Sequence, residues 1–372
     1  MNRTTYRRVR LLPAALGLAL VVAACGASNE TDSGGGSDAG SSSEESLSGD
    51  LSGAGSSAQQ AAMQGWAAGF SELQPDVTVN YDPVGSGGGR EQFLAGGVAF
   101  AGSDSALDDE ELAMAEDVCG SGGVIEMPNY ISPIAVIFNL EGVDTLNLSP
   151  VTIAKIFNAQ ITNWNDEAIA ADNPDATLPD LAISPVNRSD DSGTTKNFTQ
   201  YLVATAGADW PYEADGVWPI AGGEAAQGTS GVVSAVTAGN GTIGYADASQ
   251  AGDLGVALIG VGDEFVEYSP EAAAAVVELS TPVEGRGEFD FALDIARDTT
   301  ESGVYPIVLV SYHIMCVENA DQETADLLKS FFGYVITEEG QAVAADAAGS
   351  APISDSLRDQ AQTAVDAITV AG

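Results

Sequence analysis

The strongest constraint on the fold of this chain is an alternation of short β-rich runs with helix-like segments along most of its 372 residues. Apolar residues recur at helical spacing from Ala58 to Leu73, and VTVNYDP at 77–83 then alternates as a strand. The apolar runs ISPIAVIFNL at 131–140 and YPIVLVSYHIMCVE at 305–318 predict buried strands, the second followed by a helix from about Ala320 to Ala347. This alternation predicts an α/β protein with largely parallel sheets covered by helices on both faces.

Acidic residues dominate the charge of the chain, with 54 Asp and Glu against 12 Lys and Arg and a net charge of −42. Four of the arginines lie in the first 24 residues, so the remainder has 54 acidic against 8 basic residues and a charge of −46. Nucleic-acid partners are excluded, because phosphate backbones require basic patches. The simplest interpretation of the acidity is a solvated, aggregation-resistant surface.

The first 24 residues have the pattern of an export signal, a basic start followed by a short apolar stretch from Leu11 to Ala24. Small residues directly before Cys25 resemble the lipobox of bacterial lipoproteins, which implies cleavage before Cys25 and its acylation. Residues 25–48 are rich in Gly, Ser and acids and predict a flexible tether. The chain is therefore expected at the extracytoplasmic face of the cell membrane, held there by its lipid. The alternative is an ordinary signal peptide with an incidental cysteine.

Two further cysteines, Cys119 and Cys316, remain in the body of the chain. In an exported, oxidising setting they are expected to form a disulfide. Two separate buried thiols are the alternative.

Three segments share one design, in which a strand ends, glycines and hydroxyl residues follow, and a helix begins. They are GAGSS at 53–57, GSGGG at 85–89 and SGTT at 192–195, the last of them shortly after Arg188. A helix N-terminus offers unpaired N–H groups and partial positive charge, so three such segments beside an arginine favour a tetrahedral oxyanion. A phosphate-binding loop of the Walker type fits poorly, because Arg90 stands where that motif has Lys followed by Ser or Thr.

Asp104 follows an apolar strand in FAGSDSALDDEEL at 100–112, ahead of a helix capped by Asp108 or Asp109. An aspartate there is often a turn residue. An ionised carboxylate, however, only accepts hydrogen bonds, so beside an oxyanion it would favour a ligand that still carries a proton. Phosphate carries one at neutral pH and sulfate does not, and Asp104 is thus predicted to select phosphate.

Arg188 with Ser192-Gly193-Thr194 resembles the third phosphate loop of the phosphate-binding proteins of bacterial high-affinity phosphate ABC importers. The resemblance continues along nearly the whole mature chain, in LSGAGSS at 51–57, YDPVGSGGG at 81–89, FAGSDSALDDEEL, the segment 156–174, TIGYADAS at 242–249 and YPIVLVSYHIM at 305–315. It implies a two-lobed periplasmic-binding-protein fold of type 2, with crossing strands and the ligand in the cleft. Residues 49–132 with 250–372 are expected to form lobe I, and residues 133–249 lobe II.

The resemblance also implies the residues of the site. Asp190 is expected to orient Arg188 from behind, while Asp191 and Trp164 are assigned to solvent and to packing. The expected phosphate ligands are Ser57, Ala58, Ser86, Asp104, Arg188, Ser192, Gly193 and Thr194. The sequence departs from the family at Ser57-Ala58, where many members have Thr-Phe, and in its two body cysteines.

The function that the resemblance implies is capture of inorganic phosphate and its delivery to an ABC permease with cytoplasmic ATPases, by a monomer without metal, cofactor or covalent chemistry. A hydrolase would need a base near a serine, and the single histidine, His313, lies in an apolar strand where a core position is expected. A metallophosphatase would need clustered His and acidic ligands, which the pattern lacks. A sulfate or molybdate receptor leaves Asp104 unexplained, and an adhesion domain leaves the three loops unexplained.

Overall fold

A mixed β-sheet runs through residues 46–372, the part of the chain that the computed structural model describes, and these residues form one unit. The predicted signal peptide, Cys25 and all but the end of the predicted tether lie outside the described residues. The strands are β1 Gly49–Gly55, β2 Val77–Asp82, β3 Phe100–Ser103, β4 Val124–Asn139, β5 Asn147–Leu148, β6 Ser184–Arg188, β7 Glu224–Ala226, β8 Thr242–Asp247, β9 Gly255–Val256, β10 Leu258–Val261, β11 Glu264–Val266, β12 Thr281–Pro282, β13 Leu293–Asp294, β14 Val308–Cys316, β15 Glu318–Asn319 and β16 Thr369–Val370.

Helices connect most of these strands. They are α1 Gln60–Leu73, α2 Ser86–Leu94, α3 Asp109–Cys119, α4 Pro150–Phe157, α5 Glu167–Asp172, α6 Gly193–Ala206, α7 Gly228–Ala238, α8 Pro270–Glu278, α9 Gln322–Val335, α10 Glu338–Ala348 and α11 Asp355–Ala367, with short 3-10 turns at Gly120–Gly122, Gly207–Asp209 and Ala248–Gln250.

The main sheet has the strand order β2-β1-β3-β14-β4-β8-β6-β7, with β9 also paired to β4. Strand β1 is parallel to β2 and β3, and β6 is parallel to β7 and β8. The centre is antiparallel, because β14 runs against both β3 and β4, and β4 runs against β8. The α/β class is confirmed, whereas the expectation of largely parallel pairing is wrong at the centre, where apolar runs indicate burial but carry no information on strand direction.

Strand β4 belongs to both halves of the sheet. Its first part, as far as Pro133, pairs with β14, and its second part, from Ile134 to Asn139, pairs with β8. Fourteen of its sixteen residues are buried. The chain therefore passes from a half made of β2, β1, β3 and β14 to a half made of β8, β6 and β7 along a single buried strand.

Helices cover both faces of the first half of the sheet, and successive side chains of β14 pack alternately against helices on the two faces. Its residues Leu309 and Met315 pack with Trp66 of α1 and Phe331 of α9, whereas Val310, Tyr312 and Ile314 pack with Phe93 of α2 and Ala115 of α3. Successive side chains of a strand point to opposite faces, so a strand covered on both sides is apolar throughout. This accounts for the continuous apolar run from 305 to 318.

The helix expected from about Ala320 to Ala347 is in fact two helices, α9 and α10. Thr337 starts the second, since its hydroxyl accepts the Gly340 N–H at 3.0 Å. Gly340 sits where a Cβ atom would lie 2.2 Å from the Tyr334 carbonyl oxygen, so only glycine permits this close approach. Asp108, one of the two caps considered, caps α3 through the Glu111 N–H at 2.8 Å.

Cys119 at the end of α3 and Cys316 at the end of β14 form a disulfide, as expected. Their Cα atoms lie 5.0 Å apart and the two residues are separated by 197 positions in the chain. The bond ties the helix on one face to the central strand and closes a very long loop.

Replacing both cysteines by serine is expected to lower the free energy of unfolding by about 2–5 kcal/mol, because a cross-link over so long a loop restricts the unfolded chain. Urea unfolding of the double variant measures this. Wild-type protein treated with reductant should match the variant, and a variant as stable as the oxidised wild type would refute the contribution.

Candidate functional site

The three glycine- and hydroxyl-rich segments meet in the structure. The Gly85 N–H donates to the Gly55 carbonyl at 2.9 Å, and the Asp104 N–H donates to Ser86 Oγ at 3.1 Å. A Cβ atom on Gly193 would lie 2.5 Å from Ser86 Oγ and 2.6 Å from the Asp104 Cβ. Loops from both halves of the sheet therefore touch at one point.

Local backbone geometry makes this approach possible. Gly55 and Gly85 have φ values of 151° and 101°, which L side chains rarely adopt, and a Cβ on Gly55 would lie 1.9 Å from the Gly102 carbonyl oxygen. Ser192 then caps α6 by accepting the Thr195 N–H at 3.2 Å. Helices α2 and α6 thus begin at the contact point, where their free N–H groups form an environment suited to an anion.

Asp104 lies at the centre of the contact and is only 2% exposed. Its Oδ1 accepts a hydrogen bond from Ser311 Oγ at 2.6 Å, and its Oδ2 accepts one from Thr194 Oγ1 at 3.2 Å. Asn197 donates to the Asp104 carbonyl at 2.6 Å and to the Gly193 carbonyl at 2.9 Å. Asp104 is consequently held by donors from the central strand and from the first turns of α6.

Arg188 and Asp190 form a bidentate ion pair, the arrangement expected from the sequence. Nε donates to Oδ1 at 2.8 Å and Nη2 donates to Oδ2, with the two side chains 2% and 13% exposed. The pair occupies Nε and Nη2, which leaves Nη1 for another acceptor. Burial alone would raise the pKa of Asp190, but the hydrogen bonds and charge of Arg188 and the Gly228 N–H outweigh it and lower that pKa below its ordinary value.

Ser57 and Ala58 are both buried in the first loop. Ser57 Oγ lies 3.1 Å from Thr229 Oγ1 and accepts the Thr229 N–H at 3.1 Å. The Gln250 side chain donates to the Ser57 carbonyl at 3.1 Å. The loops that carry the predicted phosphate ligands and Asp190 thus contact one another, and a fourth loop, Gly228–Thr229, joins them.

Sequence reasoning missed Thr229, Ser311 and Asn197. The GTSG at 228–231 has the same small, hydroxyl-rich composition before a helix as the other loops, so a signal for Thr229 was present. Ser311 is a single serine within an apolar strand, a weaker signal. Asn197 lies in the second turn of α6 and offers no such signal, because its contact depends on how α6 packs.

Of the remaining candidates, His313 and Trp164 lie in the core, whereas Asp191 lies in the third loop, where its carbonyl accepts the Gly87 N–H at 3.3 Å. His313 is completely buried, burial lowers its pKa to about 3, and its Nε2 lies 3.3 Å from Met63 Sδ, so it is a neutral core residue. Trp164 is buried and donates to the Gly241 carbonyl at 3.0 Å, and Asp191 has a side chain 46% exposed.

Residues 46–372 contain neither a candidate metal centre nor a candidate membrane-spanning helix. There, no three His, Cys, Asp or Glu side chains stand together in a way that suits a metal ion. In the same range, no helix has the length and apolar character needed to cross a bilayer.

Comparison with known proteins gives a consistent result. The model of the PBP superfamily domain matches residues 40–339. The chain is 36% identical to phosphate-binding protein PstS 3 of Mycobacterium tuberculosis over 363 residues, covering 94% of this chain and 95% of the relative. It is 33% identical to phosphate-binding protein PstS of Xylella fastidiosa over 285 residues, 74% of each chain.

Solved structures agree on the fold. A high-affinity periplasmic phosphate-binding protein, PfluDING, solved with phosphate, superposes with a TM-score of 0.68 at 24% identity, covering 85% of this chain and 93% of that one. A phosphate-binding protein from Stenotrophomonas maltophilia superposes with a TM-score of 0.64 at 20% identity, covering 85% and 93%. The chain has the two-lobed fold of these periplasmic binding proteins.

The Asp190→Asn variant is expected to lose about 3 kcal/mol of stability at pH 7, because the buried Arg188 loses its counter-charge. The lowered pKa of Asp190 means that the pair contributes fully above the ordinary aspartate value of about 3.9 and is lost as pH falls through the folded value. The gap between variant and wild type should therefore narrow below about pH 4.

Chemical denaturation across pH tests this. Asp191→Asn is the matched control, because the neighbouring acid is exposed, and a change within about 0.5 kcal/mol is expected for it. Equal losses for the two variants would contradict the special role of the pair.

Proposed function

The chain belongs to the PBP superfamily and, within it, to the family of bacterial phosphate-binding proteins, and from this premise we propose that it captures inorganic phosphate between the four loops. The observation that carries the proposal is that an ion-paired arginine, several neutral donors and one carboxylate acceptor lie together on buried, touching loops. The proposed ligand contacts come from Ser57, Ala58, Ser86, Asp104, Arg188, Ser192, Gly193 and Thr194.

Arg188 supplies the charge that meets the anion. Asp190 occupies two of its donor groups, fixes the plane of the guanidinium and leaves Nη1 free to point toward the ligand. The helix N-termini and hydroxyls supply neutral donors that replace the hydration of phosphate. The affinity then comes from many local dipoles around one cation.

Asp104 supplies the selectivity. A carboxylate that already accepts hydrogen bonds from Ser311 and Thr194 acts as an acceptor, so it attracts the proton of HPO₄²⁻ or H₂PO₄⁻ and repels sulfate, which has none. A sulfate or molybdate receptor would gain nothing from a carboxylate at this position. Phosphate is accordingly the favoured substrate.

The chain belongs to a family of transport proteins that bind their ligand without converting it, and it is not an enzyme. We propose that residues 49–132 with 250–372 form lobe I and residues 133–249 form lobe II. The change of pairing partner along β4, between Pro133 and Ile134, supports this division. Ser57 with Thr229 and Asp104 with Thr194 would then bridge the lobes when they close on the ligand by hinge motion.

Delivery of phosphate completes the proposal. Acylation of Cys25 and the tether of residues 25–48 would hold a monomer at the extracytoplasmic face of the membrane. There it would present its ligand to a permease whose cytoplasmic ATPases drive import. The export pattern and the small residues before Cys25 support this part of the proposal.

Arg188→Ala is expected to weaken phosphate binding by at least about 30-fold, because it removes the one cation placed against the ligand and leaves Asp190 unpaired. Isothermal titration calorimetry with phosphate measures the loss. Lys329→Ala removes the same unit charge from a half-buried side chain of α9, which donates to the Asp366 carbonyl, and should leave the affinity unchanged. Equal phosphate affinity of Arg188→Ala and wild type would contradict the assignment of Arg188 to the phosphate site.

Asp104→Asn is expected to raise sulfate affinity by at least about tenfold while phosphate still binds, because the carboxylate charge that repels sulfate is gone and the amide offers a donor. Competition titrations with phosphate and sulfate at pH 7–8 measure the ratio. If this variant still excludes sulfate as the wild type does, Asp104 does not select the ligand by its proton.

A further inference from the structure

Ser311 is the buried donor to Asp104 that no sequence pattern assigned to the site. Strand β14 pairs Tyr312 with Ser103 on β3, and the same register places Ser311 opposite Asp104, one residue beyond the end of β3. Ser311 is completely buried and its Oγ lies 2.6 Å from Asp104 Oδ1. Its contact with Asp104 is therefore fixed by the central sheet rather than by a loop.

The direction of this hydrogen bond is set by Asp104, and it fixes in turn how Gln59 meets Ser311. Gln59 is also completely buried, and its Nε2 lies 2.5 Å from Ser311 Oγ. An ionised Asp104 can only accept, so the single hydroxyl proton of Ser311 must point to it. Ser311 can then only accept from Gln59, which must present its amide nitrogen, and the three side chains form a one-way chain of donors.

A β-bulge lies at the same place. Ser311 is opposite Tyr130 of β4 whereas Tyr312 is opposite Pro128, so Asn129 is the extra residue on β4. Bulges bend a strand locally and re-aim its side chains. Here the bulge falls beside the one polar side chain of β14 that reaches the site.

We propose that Ser311, oriented by Gln59, is a positioning residue for phosphate recognition. By filling Oδ1 of Asp104 it fixes the rotation of the carboxylate and leaves Oδ2 as the acceptor for the proton of the ligand. Thr194 already meets Oδ2 through a longer bond of 3.2 Å, which marks this oxygen as the one facing α6. The inference rests on the proposed function, since it assigns a role within phosphate binding.

Without the Ser311 hydroxyl, the carboxylate would lose its fixed partner and could present either oxygen. Ser311→Ala is therefore expected to weaken phosphate binding by about tenfold, which corresponds to about 1.4 kcal/mol. Ser311→Ala should weaken phosphate binding only when the Asp104 carboxylate is present. A general loosening of the sheet would instead weaken binding with or without that carboxylate.

A double-mutant cycle is the test, with phosphate affinities measured by calorimetry for wild type, Ser311→Ala, Asp104→Ala and the double variant. If Ser311 acts through Asp104, its removal in the Asp104→Ala background has no further effect on the affinity. Independent, additive losses from the two substitutions would overturn the proposal. Ser311→Thr, which keeps the hydroxyl and suits a strand, should recover most of the lost affinity.

The matched control is Ser132→Ala on the neighbouring strand. Ser132 is opposite Leu309 of β14 and is 1% exposed, but among the described residues its hydroxyl makes no hydrogen bond to Asp104, Ser311 or Gln59. Ser132→Ala should leave phosphate affinity unchanged. A tenfold loss in this variant would show that removing any buried serine hydroxyl of the sheet weakens binding, and would overturn the proposal.

Gln59→Leu provides a second route if Ser311→Ala does not fold. Gln59→Leu leaves Ser311 able to donate to Asp104 but removes the donor that holds the hydroxyl in place. Phosphate affinity is expected to fall about threefold, and this loss should vanish in the Asp104→Ala background. If the wild type binds phosphate and Ser311→Ala or Gln59→Leu binds it with the same affinity, the inference is overturned and the proposed function stands. Absence of phosphate binding by wild type would overturn the proposed function and the inference with it.

Discussion

Charged groups buried where the two halves of the sheet meet impose the constraint on which the rest of the site depends. Removing an ion from water costs several kcal/mol unless a partner compensates it. Arg188 and Asp190 compensate each other, and Asp104 is surrounded by hydroxyl donors instead of a cation. The loops must therefore be short, hydroxyl-rich and glycine-containing, since a Cβ at Gly55 or Gly193 would separate the groups that have to touch.

The parts of the site that the sequence predicted are those whose signal is local. A strand end, glycines and hydroxyls before a helix can be recognised within a dozen residues, and the family resemblance of one such short stretch implied the pairing of Arg188 with Asp190. Thr229 and Ser311 depend on contacts with residues 172 and 207 positions away, and those contacts follow from sheet register and loop packing. The antiparallel centre was missed for a related reason, because a buried apolar strand looks the same in either direction.

The acidity of the chain and its proposed ligand are compatible on the same physical grounds. A charge of −46 beyond residue 24 repels an anion at long range, but salt screens that repulsion over about 10 Å. Within the site the distances are hydrogen-bond distances and the surroundings are dry, so local dipoles and Arg188 outweigh distant carboxylates. Net charge then affects how fast the ligand arrives more than how tightly it is held.

Selectivity and closure depend on the same contacts under the proposed function. Ser57 with Thr229 and Asp104 with Thr194 join the two halves, and these bonds surround the point where the anion would sit. A protonated phosphate donates a hydrogen bond to the Asp104 carboxylate, which closure buries. Sulfate has no proton to donate and places a negative charge against the same carboxylate. A ligand shifts an equilibrium only by its difference in affinity for the two states. Sulfate would therefore be rejected because it disfavours the closed arrangement, and the chain of donors from Gln59 through Ser311 would act by keeping Asp104 an acceptor as the site closes.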